Sequence, residues 1–228
     1  MKILTLPGLD GTGALLAEFQ AELGQKHEVS VLSYPADLTR YSDLTDWIAE
    51  RLPEEEFVLI AESFSGPLAA MIAAGKPAHL KGVIFVATFA KSPRPAPAFL
   101  AHLLCVMPTR SRLLSKYAQP LLMGPWASKT FTALFCDTME KVPPATLSKR
   151  LHEVLQVNVT KQLHEINVPM LYLQASNDWL VPKRMAKGFA QASCSIQNIK
   201  GPHFLLQANP KDASQVIEDF IAELSKSE

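Results

Sequence analysis

Short apolar runs alternate along this chain with stretches whose apolar positions recur every three or four residues. Residues 2–6, 28–33, 57–61, 82–87, 170–174 and 195–199 are rich in Val, Ile, Leu and Phe without strict alternation. That is the pattern of parallel strands covered on both faces. Helical periodicity fills the intervals: 13–23 closed by Gly24, 43–52 closed by Pro53, 64–74 closed by Gly75, 183–191, and a last helix over about 210–225. The alternation predicts an α/β, doubly wound, mostly parallel six-stranded sheet with right-handed crossovers.

Residues 91–158 break this rhythm. They hold no convincing strand, and a proline-rich stretch, Ser92-Pro93-Arg94-Pro95-Ala96-Pro97, opens them as a stiff linker. Leu100, Leu103, Leu104 and Met107 then fall at helical spacing, and Leu113, Tyr117, Phe131, Phe135 and Met139 continue an apolar supply too large for a plain loop. The expectation is a helical cap inserted between two parts of an α/β core, 1–90 and 159–228. Most of its apolar residues are expected to pack among themselves, a minority to line a pocket.

Composition narrows the classes of function. A chain of 228 residues, 48% of them hydrophobic, supports one substantial core. Lys+Arg 22 balances Asp+Glu 22 with no basic block or acidic tail, which argues against nucleic acid or an anionic membrane as the main partner. Cys105, Cys136 and Cys194 are scattered, odd in number and without metal-ligand spacing, as in a reduced compartment. No targeting segment is visible and no apolar run approaches the roughly 20 residues of a membrane span. The expectation is a soluble, cytoplasmic protein.

Candidate chemistry begins at Ser63. The segment Phe57-Val58-Leu59-Ile60-Ala61-Glu62-Ser63-Phe64-Ser65-Gly66 runs a buried-strand pattern into a helix pattern with this serine at the corner. A serine held on a tight strand-to-helix turn stands clear of the sheet, and the turn needs small residues two positions to either side. Those positions are Ala61 and Ser65, small but not the usual glycines. Ser65 is the poorer nucleophile, because its own frame would place the ring of Pro67 where a small residue is needed. Pro67 suits the first turn of a helix instead.

A serine hydroxyl needs a base, and the base needs an orienting group. His203, in Lys200-Gly201-Pro202-His203, follows the last strand, and Asp178 follows the strand at 170–174. Both sit where α/β sites are built, beyond the carboxyl ends of strands. The other five histidines, at 27, 79, 102, 152 and 164, lie in polar or helical contexts that suit surface or packing roles. An oxyanion hole is expected from the N–H of Phe64, at the start of the elbow helix, and from the N–H of Leu9. Leu9 lies in the glycine loop Leu6-Pro7-Gly8-Leu9-Asp10-Gly11-Thr12-Gly13. As a phosphate cradle that loop lacks both the Gly-Lys-Ser/Thr ending and the GxGxxG spacing.

With these pieces in the order Ser, Asp, His, the chain resembles the α/β-hydrolase superfamily over essentially its whole length. The matching residues are Pro7-Gly8-Leu9, the elbow Ala61 to Ser65, Asn177-Asp178, and Gly201-Pro202-His203. The opening Leu-Pro-Gly-Leu-Asp-Gly-Thr-Gly is similar to that of small bacterial members. The first strand stands in the place of the family's third, so the usual N-terminal hairpin is missing, and Pro7 replaces a common histidine. The resemblance implies a serine hydrolase of carboxylic esters acting through an acyl-enzyme on a small-molecule ester or thioester. It assigns Ser63 as nucleophile, His203 as base and Asp178 as its orienter, with no metal or organic cofactor. The helical insertion implies a hydrophobic acyl or alkyl group. A thioesterase or acyltransferase of the same fold, or a ligand-binding pseudoenzyme, remains open.

Overall fold

The computed structural model describes residues 1–94, 96–97, 101 and 111–226, except for the side chains of Leu114, Ala118, Pro120 and Leu121. The helical spacing at Leu100, Leu103, Leu104 and Met107, together with Pro95, His102 and Cys105, lies outside these residues.

Six strands build one sheet: β1 (Lys2–Leu6), β2 (Glu28–Val31), β3 (Phe57–Glu62), β4 (Leu80–Val86), β5 (Met170–Ala175) and β6 (Ser195–Ile199). Their order is β2-β1-β3-β4-β5-β6, and all five pairings are parallel. β3 is buried at every residue, whereas the edge strands β2 and β6 are mostly half-covered or exposed. Only a strand with neighbours on both sides and helices on both faces needs a continuous apolar run. Successive side chains feed opposite faces. Phe57, Leu59 and Ala61 enter one core and Val58 and Ile60 the other.

The helices in the described residues are α1 (Ala17–Leu23), α2 (Tyr41–Ala49), α3 (Gly66–Ala74), α4 (Arg112–Met123), α5 (Lys129–Lys141), α6 (Pro144–Gln156), α7 (Thr160–Glu165), α8 (Ala186–Gln191), α9 (Leu205–Ala208) and α10 (Pro210–Leu224). Three expected helices begin as a 3₁₀ turn, at Ala14–Leu16, Ser63–Ser65 and Lys183–Met185. At the first, Gly13 is left-handed at φ 74° and offers no helical entry. The helix expected at 43–52 spans Tyr41–Ala49, ending short of Pro53.

Strand order reverses direction between β1 and β3, which are neighbours with Leu6 level with Ala61. The glycine loop after β1 and the corner after β3 therefore emerge side by side. A crevice at such a switch point is the general ligand position of open α/β sheets.

α4, α5 and α6 lie in the insertion between β4 and β5. Its two stems meet in an antiparallel bridge, Lys91 to Asn158, with the Ser92 N–H on the Val157 carbonyl at 3.0 Å and the Val159 N–H on the Ala90 carbonyl at 2.7 Å. Met123, Phe131 and Phe135 pack with Leu15 rather than only among themselves. Leu113 and Tyr117, which the periodicity placed in the insertion's own packing, are exposed.

Candidate active site

Ser63 closes the 61–66 corner with φ 50°, a left-handed conformation costing a non-glycine residue roughly 1–2 kcal/mol. The surroundings hold it there. The Thr88 hydroxyl, just past β4, donates to the Ser63 carbonyl. Ala61 and Ser65 are fully buried and fit the turn. The closest approach falls one residue later than the usual frame, at Gly66, where a β-carbon would lie 2.0 Å from Thr88 Oγ1 and 2.6 Å from its methyl.

From this corner Ser63 Oγ lies 2.8 Å from His203 Nε2, and His203 Nδ1 lies 2.8 Å from Asp178 Oδ2. A carboxylate only accepts, so Nδ1 carries the proton and Nε2 is free to accept from the serine hydroxyl. Asp178 is fixed by its other oxygen, Oδ1, which takes the N–H groups of Leu180 and Val181 at 2.8 Å each. The side chains of both His203 and Asp178 are buried. His203 stands edge-on to Phe204, with ring centroids 5.9 Å apart, and Phe204 packs against Phe131 and Phe135 of α5 at 5.7 and 5.8 Å. The insertion thus backs the histidine loop directly.

Leu9 and Phe64 both line the cavity beside Ser63. The backbone around each is held through carbonyl oxygens. Ser65 donates its hydroxyl to the Pro7 carbonyl and accepts from Tyr34 Oη at 2.7 Å. Tyr41 donates to the Phe64 carbonyl at 3.0 Å and stacks on its ring at 4.8 Å. The glycine loop turns on itself through the Gly11 N–H on the Gly8 carbonyl at 3.0 Å.

The cavity measures about 490 Å³ and is walled by apolar side chains. Phe89, Leu180 and Val181 come from the core; Leu122, Phe135 and Leu151 come from the insertion. His203 is the one described histidine in the lining. Two acidic residues, Asp10 and Glu62, also line it. Glu62 accepts from Gln207 Nε2 at 3.0 and 3.3 Å, and burial raises its pKa from 4.5 to about 7, moderated by the Gln207 hydrogen bond and the nearby His203.

Sequence reasoning missed Thr88, Tyr34, Tyr41 and Glu62 as parts of this site, and Arg150 of α6, which donates to the Leu9 carbonyl at 3.1 Å. For Arg150 a signal exists: Leu147, Leu151 and Val154 mark the apolar face of α6, and this arginine sits among them, fully buried. For the tyrosines no local pattern points inward.

Residues 25–200 match the model of a hydrolase family described as Serine aminopeptidase, S33. No curated protein matches the chain. Among solved structures it is similar to the enol-lactonase from Burkholderia xenovorans LB400 (TM-score 0.84, 14% identity, covering 97% of this chain and 91% of that one). It is similar also to the bromoperoxidase from Bacillus anthracis (0.84, 16%, 97% and 91%) and to an esterase from Exiguobacterium antarcticum (0.82, 10%, 97% and 92%). At these identities the likeness is one of fold.

Proposed function

The chain belongs to the Serine aminopeptidase, S33 family of α/β-hydrolases, and on that premise we propose that it is a serine hydrolase of carboxylic esters with a hydrophobic acyl or alkyl portion. One observation carries the reading. The run Ser63 Oγ, His203, Asp178, with both links at 2.8 Å, opens on an apolar cavity of about 490 Å³.

The reaction proceeds in two halves. Ser63 Oγ attacks the ester carbonyl carbon while His203 Nε2 takes its proton. The N–H groups of Leu9 and Phe64 receive the negative charge on the carbonyl oxygen. The tetrahedral adduct collapses, the C–O bond to the alcohol breaks, and His203 returns the proton to the leaving oxygen. Water then attacks the acyl-enzyme with His203 as base, releasing the acid and the serine hydroxyl. Asp178 keeps the imidazole in the useful tautomer throughout. The insertion acts as a cap: Phe135, Leu151 and their neighbours bury the apolar part of the substrate and exclude water from the oxyanion.

A fluorophosphonate probe tests this directly. It is expected to label Ser63, and Ser63→Ala is expected to lose both labelling and turnover of p-nitrophenyl esters. Retained turnover in the alanine variant would overturn the reading. Parallel assays with acyl thioesters, and with an added alcohol as acceptor, separate an esterase from a thioesterase or acyltransferase. An unreactive Ser63 in the folded protein would leave a binding protein of the same fold.

A further inference from the structure

Among the described residues Arg150 heads the largest fully buried side chains, and it belongs to helix α6 of the insertion. Taking a guanidinium out of water costs several kcal/mol unless its donors are satisfied. Among the described residues its hydrogen bonds all go to backbone carbonyls and none to a carboxylate. Nη1 donates to Leu9 at 3.1 Å and to Asp10 at 2.9 Å, and Nη2 to Pro35 at 3.1 Å and to Leu38 at 3.2 Å. The fork therefore joins the glycine loop to the segment leading into α2. Gly11 leaves the space for it: a β-carbon there would meet Nη1 at 2.1 Å.

The same face of α6 repeats the attachment. Thr146 Oγ1 donates to the Ala36 carbonyl at 2.8 Å, and Glu153 accepts the Tyr41 N–H at 3.0 Å. Residues 146, 150 and 153 share a helix face. Tyr41 in turn holds Phe64. One face of the insertion thus reaches the neighbourhoods of both oxyanion donors.

The loop Gly8 to Gly13 needs such a restraint. The Leu9 N–H shares a peptide plane with the Gly8 carbonyl, which takes the Gly11 N–H, so its aim depends on where that turn, with Leu9 and Asp10 at its centre, is seated, and an N–H that turns away no longer meets the oxyanion. We propose that Arg150 is a positioning residue for the oxyanion hole, its guanidinium fixing the Leu9 and Asp10 carbonyls so that the Leu9 N–H stays aimed at the reacting carbonyl oxygen. The proposal rests on the reading of Leu9 as a donor. It also explains why the position holds arginine. A lysine keeps the charge, but its three N–H groups leave from a single nitrogen and cannot span the four carbonyls that the planar fork meets.

The discriminating variant is therefore Arg150→Lys, assayed beside wild type and Ser63→Ala on a p-nitrophenyl ester. The expected result is a kcat lower by about 10- to 100-fold with KM changed by less than about threefold. Affinity for a trifluoromethyl ketone, which forms the tetrahedral adduct, is expected to fall by the same factor as kcat/KM. In Arg150→Ala, added ethylguanidinium is expected to restore part of kcat. If Arg150→Ala does not fold, the lysine variant and the ketone carry the test. A folded Arg150→Lys enzyme with kcat within about twofold of wild type, or with a raised KM alone, would overturn the proposal. Turnover in Ser63→Ala would instead overturn the catalytic reading on which it rests.

Discussion

Gly66 and Thr88 touch so closely that a single methyl group cannot be inserted between them: a β-carbon on Gly66 would lie 2.0 Å from Thr88 Oγ1. This contact locates the tight point of the elbow, one residue beyond the position where the motif usually carries its second glycine. It also couples the elbow to the end of β4, because Thr88 holds the Ser63 carbonyl. Gly66→Ala is expected to destabilise the protein by about 1–3 kcal/mol, as overpacking does, and to lower kcat by shifting Ser63. Thr88→Ser, which removes the Thr88 methyl and keeps the hydroxyl, is expected to recover part of the stability in the double variant. Urea denaturation of the four proteins measures both effects, and purely additive losses would refute the coupling.

Asp178→Asn keeps an acceptor for the Leu180 and Val181 N–H groups but offers His203 the wrong partner. Its kcat is expected to fall by roughly 10²–10⁴ with little change in KM, since the loop survives and the tautomer does not. Steady-state kinetics with circular dichroism as a fold control decides this.

Glu62 predicts a pH dependence of stability. Its pKa rises from 4.5 to about 7 on folding, so the folded state holds a proton that the unfolded state has released across that window. The stability it supports is complete below pH 4.5 and is lost as pH rises through about 7. The loss amounts to about 3 kcal/mol for a shift of this size. Glu62→Gln is therefore expected to match wild type near pH 4.5 and to be more stable at pH 8, measured as the difference between urea-unfolding free energies across the series. A constant difference with pH would show that burial does not raise this carboxyl.

The cavity wall predicts chain-length selectivity. Leu151 lines the cavity and belongs to the insertion. Leu151→Trp is expected to lower kcat/KM for an octanoyl ester by more than about 10-fold while changing the acetyl ester by less than about threefold, because each methylene excluded from an apolar pocket costs about 1 kcal/mol or more. Equal losses on both esters would place Leu151 outside the acyl site.

Much of this arrangement was legible in one dimension. The continuous apolar runs of β3, β4 and β5 announced strands buried on both faces, and the chain order of Ser63, Asp178 and His203 at strand ends announced where they would meet. Edge strands were legible too, though less sharply: β2 is shorter than expected because half-exposed residues leave no continuous apolar signal. The insertion was recognisable by what it lacked, a strand pattern. Its internal assignment failed at Leu113 and Tyr117, where helical spacing alone does not say which face meets the rest of the molecule.

Local sequence determines whatever depends on neighbours along the chain: strand or helix, the small residues of the elbow, the glycines of the loop after β1. Contacts between residues far apart in sequence were decided only in three dimensions. That Gly66 meets Thr88, that Tyr41 holds Phe64, and that Arg150 reaches across 141 residues to Leu9 follow from how helices and loops stack over the sheet. A buried cation among leucines is a conflict when read along the helix. Two loops turn four carbonyl oxygens toward its Nη1 and Nη2, which answers the conflict for four of its five N–H groups; Nε has no hydrogen-bond partner among the described residues.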